Sequence, residues 1–192
     1  MLNLIPTGIE DCFEIQPQVN RDKRGSFVKI FVEDLFIKNG LEHRFVEDYY
    51  SCSKKNVLRG LHFQTTPHEH TKIVYCVDGH VTDVMLDLRV GSPTYLKWAT
   101  TELKAINGNY LYIAKGVAHG FLVRSSTAIM VYKVSTSYAQ SHDSGIRWDS
   151  AGIQWNSDEF IVSDRDKGFV EMKDFISPFK YNKKILINET HS

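Results

Sequence analysis

The stretch KIVYCVDGHVTDVMLDL, Lys72 to Leu88, decides the fold class. It consists of two runs rich in β-branched, aromatic and other apolar residues, Lys72–Asp78 and His80–Leu88. They meet at Asp78-Gly79, a dipeptide suited to the positive φ of a tight turn, so the stretch predicts two strands joined as a β-hairpin. Outward from it the same texture recurs, at Ser26–Phe31, Phe45–Ser53 and Val57–Phe63 on one side and at Leu96–Leu103, Tyr110–Ile113, Gly120–Ser125 and Ala128–Ser135 on the other. Gly, Asn, Asp or Pro interrupts it every ten residues or so, the signature of an all-β chain. A helix is expected at Val32–Asn39, ended by Gly40, and a short one near Asp164–Phe175. Many short strands and few helices must hide their edges by closing or by pairing face to face. The expected architecture is therefore an all-β jelly-roll β-barrel whose lumen is the natural pocket.

The chain has 192 residues, enough for one domain that removes roughly 70% of its unfolded surface from water. Lys plus Arg and Asp plus Glu both number 23, so no net charge draws the protein to nucleic acid or anionic lipid, and neither is expected as a partner. Cys12, Cys52 and Cys76 are odd in number and form no Cys-x-x-Cys pair, which predicts reduced thiols and a cytoplasmic protein. The start, MLNLIPTGIEDCFEI, does not read as a secretion signal, and no stretch approaches 18 apolar residues, so no membrane span is expected. The tail Tyr181–Ser192 is expected to fray.

Polar chemistry concentrates in Asn56–Lys72, NVLRGLHFQTTPHEHTK, which carries Arg59, His62, Gln64, His68, His70 and Lys72. In an unbroken strand Arg59 and His62 point to opposite faces, and a kink at Gly60 would change that. A buried Arg needs an anion, and a lumenal His needs a partner that fixes its tautomer. A structural salt bridge and a satisfied core histidine account for these residues equally well.

A second dense segment is Gly108–His119, GNYLYIAKGVAH. Its spacing resembles the second motif of cupins, with Ala114 where proline is usual. Gly116 allows the turn that carries His119 to the barrel mouth, and Lys115 favours an anion nearby. In metal-binding cupins the first motif supplies a His-x-His pair and a carboxylate, and His68-Glu69-His70 has that spacing. The carboxylate would fall at Val74 or Tyr75, neither of which ligates a hard cation well, so a metal site built on His68, His70 and His119 is incomplete.

Arg24-Gly25 after Asp22, SKKNVLRGLHFQ at Ser53–Gln64, DVMLDLR with Ser92-Pro93-Thr94, AHGF, VYK and GIRW together resemble the dTDP-4-dehydrorhamnose 3,5-epimerase family, from about Ile15 to Asp166. The resemblance implies a cupin-like homodimer that uses no metal or organic cofactor and takes a nucleoside-diphospho 4-keto-6-deoxy sugar. By the same resemblance His62 is the general base, Asp166 the carboxylate that orients it, Lys72 the group that stabilises the enolate and Tyr132 the acid on the opposite face. Arg24, Arg59 and His119 match the diphosphate ligands, and Gln64 and Arg165 further binding positions. For each residue taken alone, a surface or core role is the commoner one.

The chain departs from the family's pattern at Glu47-Asp48-Tyr49, where Gln-Asp-Asn is usual, and at Lys29, where Glu is often found. A carboxylate accepts but cannot donate as an amide does, and Tyr49 is bulkier than Asn, so these substrate-binding positions leave CDP- or GDP-linked keto sugars open beside dTDP-linked ones. A metal-dependent cupin enzyme and a non-catalytic sugar-nucleotide binder are the other readings.

Overall fold

The strand at Val117–Val123 is buried along its whole length, which a strand tolerates only when both faces of its sheet are covered. The computed structural model describes residues 2–182. In it this strand, β11, is the third of a five-stranded antiparallel sheet ordered β13 (Asp143–Gly145), β6 (Leu58–Gln64), β11, β8 (His80–Asp87) and β9 (Trp98–Lys104). A six-stranded antiparallel sheet faces it, ordered β1 (Leu4–Pro6), β2 (Phe13–Ile15), β10 (Tyr110–Ile113), β7 (Lys72–Asp78), β12 (Thr127–Val134) and β5 (Glu47–Lys54). A separate two-stranded hairpin is formed by β3 (Val19–Asp22) and β4 (Gly25–Val28).

Three apolar layers hold the sheets. Between them, Val74, Cys76 and Met130 of the six-stranded sheet meet Val81, Met85 and Phe121 of the five-stranded one. On the outer face of the six-stranded sheet, the single-turn-and-a-half helix α1 (Glu33–Lys38) presses Phe36 against Ile15, Ile73 and Tyr110. Phe36 is fully buried, and its truncation to Ala would cost about 3–5 kcal/mol. On the outer face of the five-stranded sheet, Ile146, Ile153, Trp155 and Phe179 cover Leu58, Val84, Leu86 and Leu122.

The all-β jelly-roll expectation holds as two packed sheets, and among the described residues no strand pairing joins them into a closed barrel. The turn at Asp78-Gly79 forms, but β7 and β8 do not pair as a hairpin. β7 pairs with β10 and β12, whereas β8 pairs with β9 and β11 in the opposite sheet, so Gly79 is a corner between sheets. Its φ is +84° and a Cβ there would stand 2.1 Å from the Thr127 carbonyl oxygen, which only glycine avoids. The helix expected near Asp164–Phe175 is one turn, α2 (Asp164–Lys167), capped by Ser163 and followed at Met172–Asp174 by a 3-10 turn. The strand expected at Ser26–Phe31 shortens to β4. Tyr181 is tied down, its N–H donating to Val90 O, while residues 183–192 of the expected frayed tail lie outside the described residues. No helix among the described residues is long and apolar enough to cross a membrane.

Candidate active site

Gly60 decides which way the chemistry points. On β11, His119 pairs with His62 and Phe121 with Arg59, so Gly60 and Leu61 of β6 together oppose the single residue Gly120. This bulge adds one residue to the alternation and turns Arg59 and His62 to the same side. Gly60 has φ +127°, and a Cβ on it would lie 2.6 Å from Gly120 Cα.

Both side chains line a cavity of about 410 Å³ between the sheets. Gln64 and His119 join them from the five-stranded sheet, Glu47, Tyr49, Lys72 and Tyr132 from the six-stranded sheet, and Arg165 from α2. Asp166, next on α2, is buried behind His62. Its Oδ1 lies 3.0 Å from His62 Nε2, and its Oδ2 accepts the Gly60 N–H at 2.9 Å. Burial pushes the Asp166 carboxyl up, but the hydrogen bonds of His62 and Gly60 outweigh it and hold the group below its ordinary value. An ionised Asp166 accepts the hydrogen bond of Nε2–H and leaves His62 Nδ1 with a free lone pair. Burial also lowers the His62 pKa, against the pull of Asp166, so the ring is neutral at neutral pH.

Lys72 is buried, with Nζ donating to His62 O at 3.1 Å. Burial pushes its ammonium down to about 8, and Asp83 works against that shift. Asp83 and His119 form a buried pair with Oδ2 2.7 Å from Nε2. Burial raises the Tyr132 phenol well above its ordinary value, so it stays protonated. Its ring stacks on Tyr49 and meets His119 edge-on. Arg59 Nε donates to Ser53 Oγ, and Arg165 donates to Asp143 while lying over the Phe169 ring.

Gln64 is fully engaged by main chain: its amide nitrogen donates to His68 O at 2.9 Å, and its oxygen accepts Ala139 N–H at 2.6 Å. It anchors the loop that brings Tyr138 to the cavity mouth. Two expected residues are not brought in. Arg24 sits on the β3–β4 hairpin, forked onto Asp22 at 2.6 Å, and Lys29 follows that hairpin; neither lines the cavity. The metal set does not assemble either. His68 packs its ring on His142, 4.5 Å between centroids, and among the described residues no three His, Cys, Asp or Glu side chains converge to hold an ion.

Sequence reasoning missed Tyr138, Asp143 and Asp83, and weighed His70 only as a metal ligand, not as part of the cavity wall. Burial pushes His70 down to about 3, so it is neutral in the cavity wall. Asp83 carried a usable signal, a carboxylate in the interior of a strand that must find a partner when buried. Tyr138 lies in a loop with no periodicity to read, and Asp143 opens β13, a strand of three residues too short to show alternation.

The chain matches the family model described as dTDP-4-dehydrorhamnose 3,5-epimerase over residues 6–174. It is 40% identical over 181 residues to the dTDP-4-dehydrorhamnose 3,5-epimerase of Shigella flexneri, covering 91% of this chain and 100% of that protein. It is 36% identical over 169 residues to the dTDP-4-dehydrorhamnose 3-epimerase of Streptomyces niveus, covering 86% and 82%. Among solved structures it is similar to dTDP-6-deoxy-D-glucose-3,5-epimerase from Legionella pneumophila Philadelphia 1 in complex with dTDP-4-keto-L-rhamnose, with a TM-score of 0.90 and 32% identity over 95% of this chain and 100% of that one. Sequence and fold agree across nearly the whole length, and the chain belongs to the dTDP-4-dehydrorhamnose 3,5-epimerase family.

Proposed function

We propose that the protein is a carbohydrate epimerase that inverts one or both carbons flanking the C4 ketone of a nucleoside-diphospho 4-keto-6-deoxy sugar, with a dTDP-linked sugar as the first substrate to test. The observation that carries this reading is the placement of His62 and Tyr132, a neutral imidazole backed by a carboxylate and a protonated phenol, on opposite sheets of one cavity. A sugar ring lying between them has a base on one face and an acid on the other.

His62 Nδ1 takes the proton from the carbon beside the ketone, and the C–H electron pair passes into an enolate whose oxygen gathers the charge. The Lys72 ammonium stabilises that charge, the term that usually contributes most in such reactions. Tyr132 O–H then gives its proton to the carbon from the other face. Imidazolium and phenolate exchange with water to restore the starting state. A carbon acid beside a ketone is far weaker than a phenol, so the return step runs downhill. Nothing is oxidised or reduced, and these steps call for no cofactor. Arg59 and His119, which line the same cavity, are the residues proposed to bind the diphosphate.

The homodimer belongs to the same proposal. Arg24 lies on an exposed hairpin with Phe27, outside its own cavity, so its expected contact with the diphosphate is made in the cavity of a second copy. Mixing Arg24→Ala with His62→Ala protein would then restore activity that each lacks alone. Cys12, Cys52 and Cys76 are free thiols, which fits a cytoplasmic location.

The test is NMR in deuterated water with dTDP-, CDP- and GDP-linked 4-keto-6-deoxy sugars, following the C3 and C5 proton signals. Loss of signal at one or both carbons, abolished by His62→Ala, is expected. No exchange with any nucleotide would overturn the enolate mechanism.

A further inference from the structure

We infer that Tyr49 is a positioning residue for the proton-returning step: its ring, stacked on Tyr132, holds that phenol on the face of the sugar opposite His62. The inference rests on the reading of Tyr132 as the proton donor and extends it to a residue that touches the donor.

Tyr49 and Tyr132 are directly paired across β5 and β12. Their rings lie 4.8 Å apart with an interplanar angle of 14°, so the contact is face to face. Two χ1 rotamers are common for aromatic residues in strands, and the backbone of β12 therefore does not by itself fix where the Tyr132 oxygen points. Neighbours must fix it. On the β7 side the paired residue is Val74, which offers no ring. His119 meets Tyr132 only with an edge, at 6.0 Å and 71°. Ser51, on the same strand as Tyr49, lies beside the phenol oxygen, and the flat contact on the ring itself is Tyr49, which stands on the edge strand of the sheet at the cavity wall.

The base step does not pass through this pair. His62 is set by Asp166 and the bulge at Gly60, all on the other wall. Its side chain keeps 29% of its surface open to solvent, which gives a proton it removes a route to exchange for deuterium before return. An enzyme whose phenol has lost its orientation would still form the enolate and would return deuterium from the His62 side, with exchange but no inversion. The ratio of inverted product to exchanged substrate thus isolates the role of Tyr49, and only folded, substrate-bound enzyme contributes to either quantity.

The experiment compares wild type, Tyr49→Leu and Tyr49→Phe in deuterated water with a dTDP-linked 4-keto-6-deoxy-glucose, measuring deuterium at C3 and C5 and inverted product by NMR. The expected result is an inversion-to-exchange ratio at least tenfold lower in Tyr49→Leu and restored in Tyr49→Phe, which keeps the ring and loses only the hydroxyl. An unchanged ratio in Tyr49→Leu would overturn the proposal. So would a fall shared by Tyr49→Phe, which would place the effect in the hydroxyl, or a loss of exchange together with inversion in Tyr49→Leu, which would place it in binding or folding. Absence of exchange in the wild type would instead remove the epimerase reading beneath it.

Discussion

Lys72 Nζ donates to the main-chain oxygen of His62 across 3.1 Å, a bond from one wall of the cavity to the backbone of the other. The ammonium that would stabilise an enolate is thereby held beside the strand that carries the base, and this bond uses one of its three protons.

The activity should follow a bell-shaped pH profile. Burial lowers His62 below its ordinary 6.5, so the base is lost only as the pH falls under that value. Lys72 titrates at about 8, so kcat/KM should decline as the pH rises through that region. Replacing Lys72 by Arg, which stays protonated, should move the alkaline limb upward even where the rate falls; a limb that stays near 8 would assign it to another group.

The same buried charge should weaken the fold. The folded pKa of Lys72, about 8, lies below its ordinary 10.5, so the unfolded chain binds more protons between those values and stability rises with pH across that window. At pH 7 the full cost is present. Lys72→Met should therefore gain about 1–3 kcal/mol in denaturant unfolding while losing most activity.

Asp166→Asn should cut kcat/KM by roughly 10²-fold or more, because the amide no longer enforces the tautomer that frees Nδ1. Asp166 raises the His62 pKa against burial, so its removal should also shift the acid limb to lower pH. A pH–rate profile of the variant reads both effects.

Gly60→Ala should destabilise the protein by on the order of 3 kcal/mol, since the added Cβ would collide with Gly120 Cα at a φ that alanine disfavours. Equilibrium unfolding measures it. A silent substitution would mean that the bulge is not required by the close approach of β6 and β11.

Much of this was legible in the residues. Lys72–Asp78 and Tyr110–Ile113 are strands with the expected ends, because apolar runs bounded by turn residues mark strands locally. Which sheet a strand joins is not local. Asp78-Gly79 announced a reversal and concealed that the chain changes sheets there. The meeting of Arg59 and His62 depended on a bulge that Gly60 only hinted at. Asp166 taken alone reads as a surface residue of a helical turn; only the family resemblance paired it with His62, and its burial under that ring comes from the packing of α2 on β6. Arg24 and Lys29 could be matched to a motif, but a motif carries no information on which cavity a hairpin serves.

The corner at Gly79 has a further consequence. Because β7 and β8 are consecutive in the chain yet lie in opposing sheets, Lys72 and Asp83 are joined by a single short covalent path around one end of the cavity. The separation of the two walls is thus limited by chain length as well as by side-chain packing, much as a spine limits how far two covers part. Residues 114–116 join β10 to β11 at the Lys72 end of β7, so the walls are tied at that end too when the packing between the sheets is loosened. Variation in substrate size is then accommodated sideways, at the sheet edge formed by β5, where Glu47 and Tyr49 stand.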